Sequence, residues 1–178
     1  MRKLKIEELG RISIEEFKSA PKNPLVIILD NVRSMNNVGS AFRTGDAFRV
    51  EKICLCGITA QPPHRDIHKT ALGATESVDW SWYETTLEAV KDYQSKGYKI
   101  YSVEQAEGSL PLQELNLDPE GRYCLVFGNE VFGVEDEVIE ASDHCLEIPQ
   151  FGTKHSLNIS VTVGIVTWAF LKELRYDG

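Results

Sequence analysis

The sequence predicts an α/β fold, a mostly parallel sheet flanked by helices. Three observations carry that expectation. Leu25-Val26-Ile27-Ile28-Leu29 is an unbroken apolar run ending at Asp30, the pattern of a strand covered on both faces. Four more strand-like runs follow, and helical patterns separate most of them, as β/α alternation requires. The chain has 178 residues, 42% of them hydrophobic and 26% charged, so it can bury one core of ordinary size and is neither disordered nor fibrous.

The elements follow in order. Residues 1–22 read as a short helical extension, with Ser13 as cap, Glu15 and Glu16 in the first turn, and Pro21 past the end. Residues 23–178 form the main domain. After the strand at 25–30, a helix spans 36–48, with Asn36 or Asn37 as its cap. The second strand is 52–56. A helix over 86–96, ended by Gly97, leads to a strand at 99–103. A fourth strand covers 123–127, a helix 135–141, and a short strand 144–148. The last helix covers roughly 156–175 and is apolar nearly all round, through Leu157, Ile159, Val161, Val163, Ile165, Val166, Trp168 and Phe170. A helix with no polar stripe must be covered on most sides, so a second copy of the chain is expected on it, giving a homodimer; the competing reading is a helix central to one core.

Composition narrows the function classes. No apolar run approaches the length of a membrane span, and the N-terminus lacks a signal-peptide core, so a cytoplasmic protein is expected. Cys54, Cys56, Cys124 and Cys145 sit in or beside strand patterns and read as buried thiols rather than disulfides or zinc ligands. The net charge is −8, but it is uneven: residues 1–70 carry 12 basic against 8 acidic side chains, and the remainder 7 against 19. Such asymmetry marks the basic half as a candidate interaction face.

Ligands of parallel α/β sheets bind beyond the carboxyl ends of the strands. The loop after residue 30 contains Asn36, Asn37, Gly39, Ser40 and Arg43. After residue 127 comes Gly128-Asn129-Glu130-Val131-Phe132-Gly133, in which Gly128 allows close approach of a ligand and Gly133 relieves a turn. After residue 148, Pro149 and Gly152 precede Ser156, the simplest cap for the last helix, and Asn158, an amide that needs partners if buried. Nucleotide-binding glycine fingerprints, a Ser-His-Asp order, H-E-x-x-H and C-x-x-C are all missing, and no metal site is expected.

Three segments in this order resemble the signature motifs of the SpoU (TrmH) family, RNA ribose 2′-O-methyltransferases of the SPOUT class. They are Asn37-Val38-Gly39-Ser40-Ala41-Phe42-Arg43-Thr44, Leu125-Val126-Phe127-Gly128-Asn129-Glu130-Val131-Phe132-Gly133-Val134, and Ile148 through Val161. The resemblance implies S-adenosylmethionine as methyl donor, with the backbone of Gly128, Ile148 and Leu157 holding its adenine end. It also implies Arg43 as the catalytic arginine, with Asn37, Glu130, Ser156 and Asn158 around it. A C-terminal trefoil knot, a homodimer with the site at the subunit interface, and an RNA substrate, tRNA before rRNA, are further implications. Val131 and Phe132 depart from the small residue usual after the glutamate. Whether Arg43 is a base or an electrostatic activator stays open at this level. A catalytically inactive SpoU-like RNA-binding protein and a metabolite-binding α/β enzyme are the competing readings. For RNA, the basic residues suggest a rim around Arg43, formed by the N-terminal segment, Arg33 and the stretch from His64 to Lys69.

Overall fold

The structure, a computed structural model, describes residues 1–174. Seven strands form one parallel sheet: β1 (Asn23–Asp30), β2 (Val50–Cys56), β3 (Trp80–Tyr83), β4 (Lys99–Val103), β5 (Leu110–Pro111), β6 (Tyr123–Phe127) and β7 (His144–Glu147). Their spatial order is β3-β2-β1-β6-β4-β7-β5. The helices are α1 (Ile14–Ser19), α2 (Met35–Ala47), α3 (Arg65–Ala71), α4 (Ala74–Ser77), α5 (Thr86–Ser95), α6 (Asp136–Ala141) and α7 (Ile159–Glu173).

The continuous apolar run is covered on both faces, as its composition requires. Ile28 of β1 sits opposite Cys54 of β2 on one side and Val126 of β6 on the other. Alternate side chains of β1 then feed two cores. Leu25, Ile27 and Leu29 pack with Phe17, Phe42, Ile67, Val163 and Phe170 under α1, α2, α3 and α7. Val26 and Ile28 pack with Cys54, Cys56, Cys124, Val90 and Val138 under α5 and α6. Three of the four cysteines are therefore buried thiols, and Cys145 is half-buried.

Several boundaries differ from the sequence reading. Ser34, rather than Asn36 or Asn37, caps α2, its hydroxyl accepting from the Asn37 N–H at 3.3 Å. Asn158, rather than Ser156, caps α7, so residues 151–157 stay an exposed loop and Asn158 is not an interior amide. The expected end of that helix at Arg175 lies outside the described residues. The strand at 144 stops at Glu147 and leaves Ile148 in the loop. The aromatic stretch Trp80–Tyr83 is an edge strand, and α3 and α4 carry too few apolar residues for a visible period. In α3 only Ile67 and Ala71, one turn apart, are buried. They sit beside Gly39 of α2, where a Cβ would lie 2.3 Å from the Ile67 carbonyl oxygen.

α7 is not covered on every side. Val163, Val166, Phe170 and Leu171 are buried, whereas Val161, Ile165 and Trp168 form a stripe exposed by 38% to 49%.

The topology also fixes where a ligand can enter. The chain leaves β1 toward α2 on one face of the sheet and leaves β6 toward α6 on the other. Neighbouring parallel strands whose connections diverge open a crevice at their carboxyl ends.

Candidate active site

Three loops meet at that crevice: residues 31–34 after β1, 128–134 after β6, and 148–158 after β7. Glu130 ties the first two together. Its carboxylate accepts from the N–H groups of Arg33 at 3.0 Å and Ser34 at 2.9 Å, and from the Asn37 side-chain amide at 3.0 Å. Asn158 extends the chain by donating to Asn37 Oδ1 at 3.4 Å, while its own Oδ1 accepts from the Ser160 N–H at 2.8 Å. Three residues far apart in sequence thus form one hydrogen-bonded row. Burial opposes the charge on Glu130, but the Arg33 and Ser34 N–H groups and the Asn37 amide outweigh it and lower its pKa.

A lowered carboxylate pKa stabilises the fold above the unfolded-state value, about 4.3, and that contribution disappears as pH falls through the lower folded-state value. Glu130→Gln should therefore lower the thermal midpoint at pH 7. The gap to the native protein should narrow between pH 5 and pH 3, as followed by circular dichroism.

A cavity of about 510 Å³ opens beside this row. Gly128, Ile148 and Leu157 line it, together with Glu130, Ser156 and Asn158. Six of the eight expected site residues therefore share one wall. Asn37 reaches the cavity only through Glu130 and Asn158. Arg43 does not line it: it stands exposed on α2 and enters no ion pair among the described residues. Gly128 has a different role from the one its sequence suggests. A Cβ there would lie 2.1 Å from the Gly133 carbonyl carbon and 2.2 Å from the Val134 nitrogen. The missing side chain makes room for the loop's own return rather than for a ligand. Gly133 does take the left-handed turn, at φ +72.

Sequence reasoning missed the residues that hold these loops. Asp30, fully buried at the end of β1, accepts from Thr86 Oγ1 at 2.6 Å, the Glu135 N–H at 2.9 Å and the Asn31 amide at 3.0 Å. Asn129 donates to the Asn31 carbonyl at 2.7 Å and accepts from the N–H groups of Val131 and Phe132. A carboxylate closing an apolar strand was the available signal for Asp30. In the N-terminal segment, Arg2 pairs with Glu8 at 2.6 Å. No group of three or more His, Cys, Asp or Glu that could hold a metal ion occurs among the described residues, and no helix among them is long and apolar enough to cross a membrane.

A parallel α/β domain with a small-molecule cavity and converging amides and carboxylates at its strand ends has the layout of a ligand-using enzyme. Residues 24–168 match the SpoU rRNA Methylase family, and the chain belongs to it. A tRNA (guanosine(18)-2′-O)-methyltransferase of Borreliella burgdorferi is 27% identical over 96% of this chain and 76% of its own length. The Neisseria meningitidis 23S rRNA (guanosine-2′-O-)-methyltransferase RlmB is 29% identical over 80% of this chain, which spans only 56% of that relative. Among solved structures, the A. aeolicus TrmH/SpoU tRNA-modifying enzyme shares the fold at TM-score 0.77 and 24% identity, over 90% of this chain and 79% of that one. A structure described for 2-OH methylation of C/U34 on tRNA aligns at TM-score 0.74 and 25% identity, over 85% of this chain and 98% of its own.

Proposed function

We propose that this protein is an S-adenosylmethionine-dependent methyltransferase acting on a ribose 2′-hydroxyl of RNA, with tRNA favoured over rRNA. The observation that carries the reading is the row Glu130–Asn37–Asn158 on the rim of a cavity lined by Gly128, Ile148 and Leu157. The tRNA preference follows the tRNA (guanosine(18)-2′-O)-methyltransferase of Borreliella burgdorferi, whose alignment covers 96% of this chain.

The cavity suits the cofactor. Its volume lies within the range of roughly 300–1,000 Å³ typical of small-molecule sites. Ile148, Leu157 and Leu146 offer apolar walls to an adenine ring, and Glu104 and Glu147 offer acidic groups to a cation. When bound, the cofactor supplies an electrophilic methyl group on a sulfonium. Gly128, Ile148 and Leu157 would hold its adenine end through their backbone. Glu130 fixes the first loop, and Asn37 and Asn158 orient the ribose. Arg43 acts as a cation. A guanidinium cannot be deprotonated in a protein, but it can hold an RNA phosphate and lower the pKa of the 2′-hydroxyl, favouring loss of its proton to solvent as the oxygen takes the methyl group. Ser156 is a further hydroxyl at the cavity wall.

Arg43 needs a second surface to act with. α2 packs on α7, with Phe48 tilted against Trp168 at 5.9 Å between ring centroids, and the exposed stripe Val161, Ile165 and Trp168 lies on that α7. A second copy on this stripe would make a homodimer with Arg43 close to the interface. Light scattering at micromolar concentration should give twice the chain mass, and Ile165→Asp should shift it to the monomer. The C-terminal trefoil knot, the division into an extension at 1–22 and a domain at 23–178, and a cytoplasmic location belong to the same reading. Calorimetric titration tests it. Saturable binding of S-adenosylmethionine or its demethylated product is expected, and binding of neither would remove both site and reaction.

A further inference from the structure

A second cavity, of about 390 Å³, lies on the other side of the 129–133 loop. Ile58 and Phe132 form its apolar walls, and Arg33 and Glu135 stand at its edge. Asn129, Phe132 and Gly133 border both cavities, so a single loop separates this space from the first.

Phe132 is 84% exposed and Ile58 67%. An exposed large apolar side chain is the informative kind of surface residue when it is held rigidly. Phe132 is held so. Its N–H donates to Asn129 Oδ1 at 3.1 Å, and Asn129 and Gly133 exchange two backbone hydrogen bonds at 2.8 and 2.9 Å. The ring is thus presented on a closed loop instead of being tucked into a core.

The polar groups of the cavity are mostly committed. Asn31 Oδ1 accepts from the Ile58 N–H at 3.1 Å, and its amide donates to Asp30 and Glu135. Asn129 uses both ends of its side chain. What remains on offer is the Phe132 ring, the Ile58 side chain, the Arg33 guanidinium and part of the Glu135 carboxylate. That set suits a planar, stacking ligand attached to an anion better than one read through many hydrogen bonds. Unpaired bases of RNA stack on aromatic rings, and their phosphates take arginine.

We propose that this second cavity seats an unpaired nucleobase of the substrate RNA, stacked on Phe132, with Arg33 on the adjoining phosphate. The seat places the attached ribose at the loop shared with the first cavity, beside Glu130. The inference rests on the RNA-methyltransferase reading above for its choice of occupant. It also gives the exposed Phe132 ring a task in positioning the nucleotide.

The probe is a single-stranded RNA dodecamer with 2-aminopurine at its centre, whose fluorescence falls when the base stacks. The wild-type protein should quench it. Phe132→Ala should weaken binding by at least about five-fold and lift the quench, as expected for loss of one stacked base, while Phe132→Tyr restores both. Arg33→Gln should flatten the dependence of affinity on salt. Calorimetry with S-adenosylmethionine should be unchanged in Arg33→Gln, whose side chain borders only the second cavity. Equal quenching by Phe132→Ala, or no binding of the dodecamer by the wild type, would overturn the seat. So would a Phe132→Ala variant whose only change is loss of the dimer. A protein that quenches the probe through Phe132 but transfers no methyl group would instead overturn the enzymatic reading and leave the seat standing.

Discussion

Gly128→Ala should weaken cofactor binding by ten-fold or more while the sheet stays folded. The added Cβ would lie 2.1, 2.2 and 2.3 Å from the carbonyl carbon of Gly133, the nitrogen of Val134 and the carbonyl oxygen of Gly133. All three are backbone atoms, so no side chain can swing away. The 129–133 return must open, and it carries Glu130 with it. The bonds from Arg33 and Ser34 to that carboxylate then stretch, and the wall between the two cavities shifts. Overpacking of this kind costs about 1–3 kcal/mol. The calorimetric affinity for S-adenosylmethionine should fall by ten-fold or more, with a lower thermal midpoint. Gly152→Ala, in the neighbouring loop with no atom within 4 Å of a new Cβ, should change neither. Affinity within two-fold of wild type in Gly128→Ala would show that the return is soft.

Arg43→Ala should have the opposite profile. The side chain is exposed and unpaired with any acid among the described residues, so its loss should leave the thermal midpoint and cofactor affinity in place. Methyl transfer should fall by about 100-fold or more, the scale on which one preorganised electrostatic contact acts. Arg43→Lys should not restore it, because a point charge does not reproduce a planar, bidentate fork. A rate within a few-fold of wild type would remove Arg43 from the chemistry.

The two variants mark what could be read from sequence. Strands with dense β-branched composition, such as Leu25 to Leu29, announce themselves because burial on both faces leaves no polar position. The site was legible as residue types at strand ends. Glu130, Asn158 and Gly128 share a cavity because parallel strands all open their carboxyl ends on one edge. Contacts of long sequence separation were not legible. Nothing local says that the Glu130 carboxylate spends itself on the Arg33 and Ser34 N–H groups, or that Asp30 gathers Thr86 and Glu135. Caps misled for a related reason. Ser34, Asn36 and Asn37 are all good caps, and so are Ser156 and Asn158. The choice among them follows from where the neighbouring loops pull the chain. Gly128 is the sharpest case: its conformational freedom was visible, but the neighbour that fills the space of its Cβ was not.

The central claim is the transfer of a methyl group to a ribose oxygen. The most direct measurement is nucleoside analysis of RNA from a strain lacking the gene, after incubation with the purified protein and isotopically labelled S-adenosylmethionine. Digestion to nucleosides followed by mass spectrometry separates label on the sugar from label on the base. The expected result is label in one 2′-O-methylated nucleoside, recovered from the tRNA fraction, present with the wild type and absent with Arg43→Ala. Label on a base, or no label in any RNA fraction from a protein that binds the cofactor, would contradict it.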